Sequence, residues 1–535
     1  MSSNTRYRAI FPAVKPTPDP YFHFMRSTFF FLAALLAGSA FAQSAPSDSL
    51  FNTDQVVTID LTFAETDFWS TLTADYLADL GATVTADVTI TDNTGTHTYP
   101  QVEVDLKGNS SYSHPGNKKS FKIDFNDNIS GQKYHGMTKM HFNNCFKDPT
   151  FMREKIFFDY ARSQGVLAPR VLYANVNMNG TFWGFYDMVE AVDKNFLDRW
   201  VDDNDGNLFK AGDNFNSGGT TAADLAYYGE DPTSYYDRYE LKTNESENDW
   251  SDLIALVQML NTASDADLTA QFPAQWEWQP MLRSLAMDNL FANLDSYINS
   301  ARNYYVYHDS TTLKWNWIKW DGNEAFGSYS AGMGSGNPEN LAPDYVTASR
   351  PLMTKLMGVP ALYTDYVEAY CTVLEGFTSL YMDPKIDAIK TLIQPHVTAD
   401  VNKQYTTAQF LANIDNNINV GGGGGGGGTV YGLKSFIATR ANYLSGALDC
   451  SMVAVQELTS PVELSVYPNP VTDVLHVRLP VGYSPENLRL TDALGRSMPV
   501  NYSDGEIDLS GVARGTYVLL LRGPTGQLAA RVVKN

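Results

Sequence analysis

Residues 315–327 read WNWIKWDGNEAFG and set Asp321, Asn323 and Glu324 directly behind three tryptophans. Carboxylate and amide oxygens at the end of an apolar strand are the donor set of a hard divalent cation, which takes oxygen ligands and keeps several waters. A second segment, LKGNSSYSHPGNKKSFKIDF (residues 106–125), gathers Lys107, Lys118, Lys119 and Lys122 around Gly108, Asn109, Ser110 and Ser111. Two strands flanking a small-residue, amide-rich turn, with lysines on the return strand, can hold phosphates through backbone N–H groups and ammonium charges.

That basic segment is informative because the chain carries a net charge of −22. Affinity for phosphate backbones comes from clustered Lys and Arg, so the overall balance argues against a nucleic-acid binder. Hydrophobic residues at 44% and aromatics at 13% exclude wholesale disorder. The length of 535 residues points to about two to four domains. Three cysteines, Cys145, Cys371 and Cys450, supply no disulfide framework; one bridge is available, its pairing left open.

Several other chemistries lack their signatures. The eight histidines form no HExxH, and no Gly-x-Ser-x-Gly elbow occurs. The run Gly421–Gly428 is followed by no Gly-Lys-Ser/Thr, so it reads as a flexible connection rather than a phosphate loop. In DDNDGN (202–207) an EF-hand register puts Val201 and Gly212 where carboxylates are required, which leaves a solvated acidic turn.

The elements that must position these residues follow from periodicity. From Met25 the chain has a basic Arg26, an apolar run Phe29–Ala37 and Ala40-Phe41-Ala42, the form of a signal peptide cleaved after Ala42, with Met25 read as the true start. The apolar run is too short for a permanent membrane span. After a linker (43–56), residues 56–125 alternate as strands, with a hairpin turn at Asn93-Thr94-Gly95. A helix is expected over FMREKIFFDYARSQG, capped by Asp148 or Thr150, with Met152, Ile156, Phe157 and Tyr160 on one face and a stop at Gly165. A hairpin turning at Asn179-Gly180 follows, and then helices over about 250–300 and 350–450.

Past a linker (450–463), residues 464–535 again alternate: Leu475, Val477 and Leu479 on one face, His476 and Arg478 on the other. A small β-sandwich is expected. The stretches YPNP (467–470), LTDALGR (490–496), IDLSGVARGTYVLLL (507–521) and the terminal RVVKN resemble the C-terminal sorting domain of the type IX (Por) secretion system. The resemblance implies export by signal peptidase and Sec to the periplasm, then by the type IX machinery across the outer membrane. The mature protein would be secreted or at the cell surface, with no integral membrane span.

The larger part resembles the CotH family of spore-coat-H-like atypical protein kinases. Six blocks keep the family's order: LKGNSS…NKKSFKIDF, FNNCFKDPTFMREKIFFDYARSQG, VNMNGTFWGFYDMVEAVDKNFL, NLFK, RNYYVYHD and WIKWDGNEAFG. The resemblance implies an α+β chain: a protein-kinase-like domain over 57–449 followed by the sandwich. It further implies transfer of the ATP γ-phosphoryl group, with Mg²⁺ or Mn²⁺, to a secreted or surface protein. Asp321 matches the metal-binding aspartate, Asp295 the catalytic one, and Asn303 a second metal ligand, with Asn323 beside the metal. Lys118 and Lys119 match paired lysines, one of which reaches phosphate, and Glu190 a glutamate that pairs with such a lysine.

Two departures mark this chain. Asn323 stands where family members commonly carry Asp, which keeps an oxygen but loses a charge. Asp295 and Asn303 lie eight apart against about five in an ordinary kinase loop, so Asn299 is an alternative ligand. The competing expectation is a catalytically inactive surface or scaffold protein of the same shape.

Overall fold

The structure, a computed structural model, describes residues 45–535 apart from 79–82, 202, 213–221, 330–332, 334–335, 348–349, 421–427, 451–463 and short stretches within 480–525. The signal peptide, the glycine run as far as Gly427 and most of the second linker lie outside the described residues.

Alternation builds the first layer. Strands β1 (Val56–Phe63), β2 (Val84–Asp92), β3 (Gly95–Leu106), β4 (Phe121–Asp124), β5 (Lys139–Asn143), β6 (Val171–Met178) and β7 (Thr181–Glu190) close a barrel in the order β1-β2-β3-β4-β5-β7-β6. Only the β1–β6 seam of that barrel is parallel. Every second residue points inward: Val57, Ile59, Leu61 and Phe63 on β1, Val84, Ala86, Val88 and Ile90 on β2, and Val102, Val104 and Leu106 on β3 are all buried. The β6–β7 turn is Asn179-Gly180 at φ 45° and 74°, the left-handed pair that a tight two-residue hairpin requires.

Two short helices flank the barrel, α1 (Asp48–Phe51) and α2 (Phe68–Ala78). The second corrects the expectation of strands alone over this region. Its Phe68 and Leu72, one helical turn apart, are buried, and Phe68 stacks on Phe63 with ring centroids 4.0 Å apart.

Helix α3 (Arg153–Ser163) forms where its periodicity places it, with Met152, Ile156, Phe157 and Tyr160 buried. Asp148 serves the helix entry: its Oδ2 accepts from the backbone N–H groups of Met152 (2.9 Å) and Arg153 (2.8 Å). Gly165, at φ 71°, follows its end.

Past α4 (Lys194–Trp200), a four-stranded antiparallel sheet is built from β8 (Asn207–Ala211), β9 (Tyr239–Leu241), β10 (Tyr304–His308) and β11 (Trp315–Lys319) in the order β11-β10-β8-β9. Between β9 and β10 run α5 (Ser251–Thr262), α6 (Asp265–Gln271) and α7 (Trp278–Leu290). After β11 come α8 (Pro351–Gly358), α9 (Pro360–Glu375), α10 (Ser379–Ala399), α11 (Thr407–Asp415) and α12 (Leu433–Ala447). These helices share one large core with α3 and the inner face of the sheet. A disulfide joins Cys371 of α9 to Cys450, and Cys145 is a buried free thiol.

The described residues of 464–535 form two four-stranded sheets. Leu475, Val477 and Ile507 of one and Leu488, Leu490, Leu519 and Leu521 of the other lie in a single buried cluster. The chain is thus a mixed α+β protein. Among the described residues no helix is long and apolar enough to cross a membrane.

Candidate active site

A cleft of about 610 Å³ is lined by the end of the barrel that carries Lys107, by the start of α3, and by the loops before β10 and after β11. The β10–β11 hairpin does the positioning. Tyr304 pairs with Lys319, so the residues just outside the pair, Asn303 on one side and Trp320-Asp321 on the other, emerge together at one end of the sheet. Lys319 closes this end onto α7 by a buried ion pair with Asp288 at 2.5 Å.

Asp295, Asn303, Asp321 and Asn323 all line the cleft. The long Asp295–Asn303 interval folds back on itself: Asn303 Nδ2 donates to the Asp295 carbonyl (2.7 Å) and to its Oδ2 (3.2 Å). With the amide N–H₂ so committed, Asn303 Oδ1 is left as an acceptor. Asn323 behaves in the same way, its Nδ2 donating to the Phe146 carbonyl at 3.2 Å. Asn299 is turned away; its Nδ2 donates to the Leu294 carbonyl and its Oδ1 accepts from Tyr345.

The backbone here is strained where the oxygens are presented. Asn303 and Asp321 sit at φ 62° and 55°, a region that Asn and Asp tolerate better than other side chains but that still costs energy. Gly322 must be glycine, since an added Cβ would lie 2.6 Å from Phe157 of α3. Asp295 Oδ1 is buried with no hydrogen-bond partner among the described residues, and its nearest cation is Arg302 at 3.8 Å. A buried carboxylate oxygen with no partner is costly unless a cation or a hydroxyl meets it.

The carboxylates are pushed toward the protonated form. Burial raises Asp321, against the pull of Lys107 and with a further push from Asp295. Burial also raises Glu324 to about 7, although Lys147 lies 3.0 Å away. Clustered acids held in this way relax when a divalent cation enters. The donor set of Asp321, Asn303 and Asn323 is all oxygen, and it fits Mg²⁺ or Mn²⁺.

Across the cleft the cations are not equivalent. Lys122 pairs with Asp105, Lys139 with Asp124, Lys147 with Glu324, and Lys210 and Lys242 with Glu240. Lys107 has no carboxylate within ion-pairing distance among the described residues. Its Nζ donates to Asn143 Oδ1 (2.6 Å) and lies 5.6 Å from the centre of the Trp320 ring. Asn143 Nδ2 in turn donates to Glu154 Oε2 (2.7 Å), so one amide links the lysine to a glutamate of α3. Burial lowers Lys107 to about 8, opposed by Asp321 and Glu154, and burial raises Glu154 to about 7. An ammonium held by a neutral amide is available to an anion.

Lys118, Lys119 and Glu190, expected as cofactor-binding residues, do not line the cleft. Lys118 is fully buried against Asp400 at 2.8 Å, and that carboxylate also accepts the Phe185 and Asn402 N–H groups. Lys119 Nζ donates to the carbonyls of Tyr112 and His114, both at 2.6 Å. Glu190 is engaged through both oxygens by Arg170. Asn143 and Glu154 were not singled out in the sequence, and Lys107 was not separated from the other lysines of its segment. One signal was present: Lys107 directly follows a long strand and precedes Gly108, which sits at φ 92°.

Comparison with known proteins gives the lineage. Residues 104–444 match the family model described as CotH kinase protein, and residues 465–535 match that of the secretion system C-terminal sorting domain. Among curated proteins the chain is similar to the inner spore coat protein H of Bacillus subtilis (strain 168), 28% identical over 313 residues, which are 58% of this chain and 82% of that protein. A solved complex of HipA, HipB and operator DNA, a toxin–antitoxin system of Shewanella oneidensis MR-1, is matched at TM-score 0.28 and 11% identity over 57% of this chain and 58% of that one. That likeness is too slight to support a statement about fold or activity. The first family match spans more than half of the chain and takes in every cleft residue named above, and on that ground the chain belongs to the CotH family.

Proposed function

We propose that this chain is a secreted protein kinase that transfers the γ-phosphoryl group of ATP to a Ser or Thr hydroxyl of a secreted or surface protein. The observation that carries the reading is the β10–β11 hairpin, which sets Asp295 and Asn303 before its first strand and Asp321 after its second, facing Lys107. Protein kinases use the same order of base, amide ligand and metal aspartate. On this reading the barrel, α3 and the cleft form an atypical kinase-like domain, and the two C-terminal sheets are the faces of a β-sandwich.

The roles follow from the contacts. Asp321, with the amide oxygens of Asn303 and Asn323, would hold the cation; bound Mg²⁺ or Mn²⁺ neutralises charge on the nucleotide phosphates. Lys107 meets a phosphate oxygen, and Glu154, through Asn143, fixes where that ammonium points. Asp295, whose Oδ1 accepts no hydrogen bond among the described residues, takes the proton of the substrate hydroxyl as the hydroxyl oxygen bonds to the γ-phosphorus and the bond from that phosphorus to the ADP oxygen breaks.

The sorting domain ties the chain to the type IX secretion machinery and so to the cell surface or beyond. Passage through Sec and cleavage by signal peptidase after Ala42 complete the proposed route. A second reading, a scaffold that binds without transferring phosphate, is favoured by one residue: Asn323 supplies an oxygen without the charge of the usual aspartate. Calorimetric titration of ATP with Mg²⁺ separates the two. Saturable binding that is lost in Asp321→Asn, a substitution compatible with the left-handed backbone there, supports the kinase. Absence of nucleotide binding by the wild type removes it.

A further inference from the structure

At the other end of β3 from Lys107, side chains from three places converge on one point. Asp92 ends β2, Thr94 and His97 belong to the β2–β3 turn and the start of β3, and His135 comes from the turn between β4 and β5. His135 Nε2 lies 3.1 Å and His97 Nε2 3.4 Å from the same Asp92 Oδ2. Thr94 Oγ1 lies 3.0 Å from His97 Nε2 and 3.4 Å from His135 Nε2. The ligand atoms of Asp92, His97 and His135 lie within 4.8 Å of one another.

Protons decide what these contacts mean. Ser49 Oγ donates to the Pro46 carbonyl at 2.9 Å, so towards His135 Nδ1, 3.1 Å away, the same oxygen must accept. The proton of a neutral His135 is therefore on Nδ1, and Nε2 carries its bare lone pair toward a carboxylate. Thr94 spends its hydroxyl proton on Asp92 Oδ1 (2.6 Å), which leaves the lone pairs of Oγ1 facing both imidazoles. In this tautomer the bare His135 Nε2 faces the Asp92 carboxylate and the Thr94 lone pairs, a contact that a proton or a metal cation must reconcile. His135 holds this pose at φ 48°, a left-handed backbone that favours glycine, and Gly136 follows at 80°.

The spacing suits a tetrahedral first-row metal ion such as zinc. Zn–N and Zn–O bonds of about 2.0–2.1 Å, arranged tetrahedrally, put neighbouring ligand atoms roughly 3.3–3.4 Å apart. Four of the six edges of such a tetrahedron are 3.1, 3.4, 3.0 and 3.4 Å here. We propose that Asp92, His97 and His135, with Thr94 Oγ1 at the fourth corner, form a structural zinc site that fastens the β2–β3 turn to the β4–β5 turn and, through Ser49, to α1. The supporting shell is in place: Tyr134 O–H donates to Asp92 Oδ2 (2.6 Å), Thr94 N–H and O–H hold Oδ1, and Ser49 fixes the His135 tautomer. The Asp92 side chain is fully enclosed, and His97 forms the more open side. The site is independent of the nucleotide cleft and of its proposed activity.

The test is a zinc titration of the full mature chain, stripped with chelator and then held in excess Mg²⁺ to occupy the cleft, against a chromophoric competitor. The expected result is one zinc per chain, a melting temperature raised by zinc, and tetrahedral ligand-field bands when Co²⁺ replaces it. Ser49→Ala should weaken the affinity about tenfold, as loss of an outer hydrogen bond does. His135→Gln and His97→Gln should abolish binding, whereas Asp321→Asn should keep it. The partly exposed His97 keeps the test decisive if His135→Gln fails to fold. Zinc uptake by the wild type no greater than by His97→Gln would overturn the proposal, leaving an imidazolium–carboxylate cluster without a metal.

Discussion

Lys107 and Lys118 flank the same β3–β4 connection, and their surroundings differ in kind. Lys118 is wholly enclosed and meets a carboxylate whose oxygens are otherwise filled by backbone N–H groups. Lys107 stands at the cleft wall and meets an amide and an indole face. A buried charge with a complete set of partners is a structural part, and removing either partner strands the other. A charge held only by neutral groups keeps its capacity to bind an anion. Position in the sequence does not separate the two; the partners do.

The comparison breaks most sharply at Lys118. Lys118→Ala leaves the Asp400 carboxylate buried and unpaired and should lower stability by about 3–5 kcal/mol, read from denaturant unfolding. Nucleotide affinity of the fraction that remains folded should be unchanged. Lys107→Ala is the converse: the fold should hold, and the affinity for Mg·ATP should fall roughly 10- to 100-fold, the worth of a charge-assisted hydrogen bond of about 1.5–3 kcal/mol. Calorimetry on the two variants side by side gives the answer, and equal effects on affinity would erase the distinction.

A pH series sharpens it. Glu154 and Glu324 are raised from 4.5 to about 7, so in nucleotide- and metal-free protein their contribution to stability is full below about pH 4.5 and lost as pH rises through 7. Lys107 is lowered from 10.5 to about 8, so its contribution is full above about pH 10.5 and lost as pH falls through 8. Stability should therefore dip between about pH 7 and 8. Glu154→Gln, which still accepts from Asn143, should reduce the stability lost between about pH 4.5 and 7 by on the order of 1–3 kcal/mol. An unchanged slope would mean that Glu154 is not held in its protonated form. The smallest expected effect is that of Asn323→Asp, which adds a charge beside Asp321 and should tighten Mg²⁺ binding by about 1 kcal/mol or less in this part-solvated loop.

Strands β1 to β4 and the β6–β7 hairpin were legible from alternation and turn residues, and α3 because Met152, Ile156, Phe157 and Tyr160 keep helical spacing, whereas the five-residue β5 was not read from the sequence. Helix α2 was not, since Phe68 and Leu72 alone carry its buried face within a stretch otherwise rich in β-formers. On the site, Asp321 and Asn323 stand out in the sequence as oxygens at the end of a strand, whereas Asp295 and Asn303 came from the family resemblance; all four line the cleft. The lysine could not be located in either way. Lys107, Lys118 and Lys119 are equivalent as letters, and what distinguishes them is Asp400, hundreds of residues away, or Asn143 across the sheet. The Cys371–Cys450 pairing is long-range in the same sense.

The central claim is that Asp295 handles a substrate hydroxyl in front of a nucleotide held by Asp321 and Lys107. Incubating the mature wild-type chain and Asp295→Ala with ATP labelled in the γ-phosphoryl group, Mg²⁺ and an extract of secreted protein measures it directly. Label should pass to protein Ser or Thr with the wild type and fall by roughly 10²- to 10⁴-fold with the variant, about 3–6 kcal/mol in barrier, while its ATP affinity stays near the wild-type value. No protein-linked label with either chain, or equal label with both, would contradict the account.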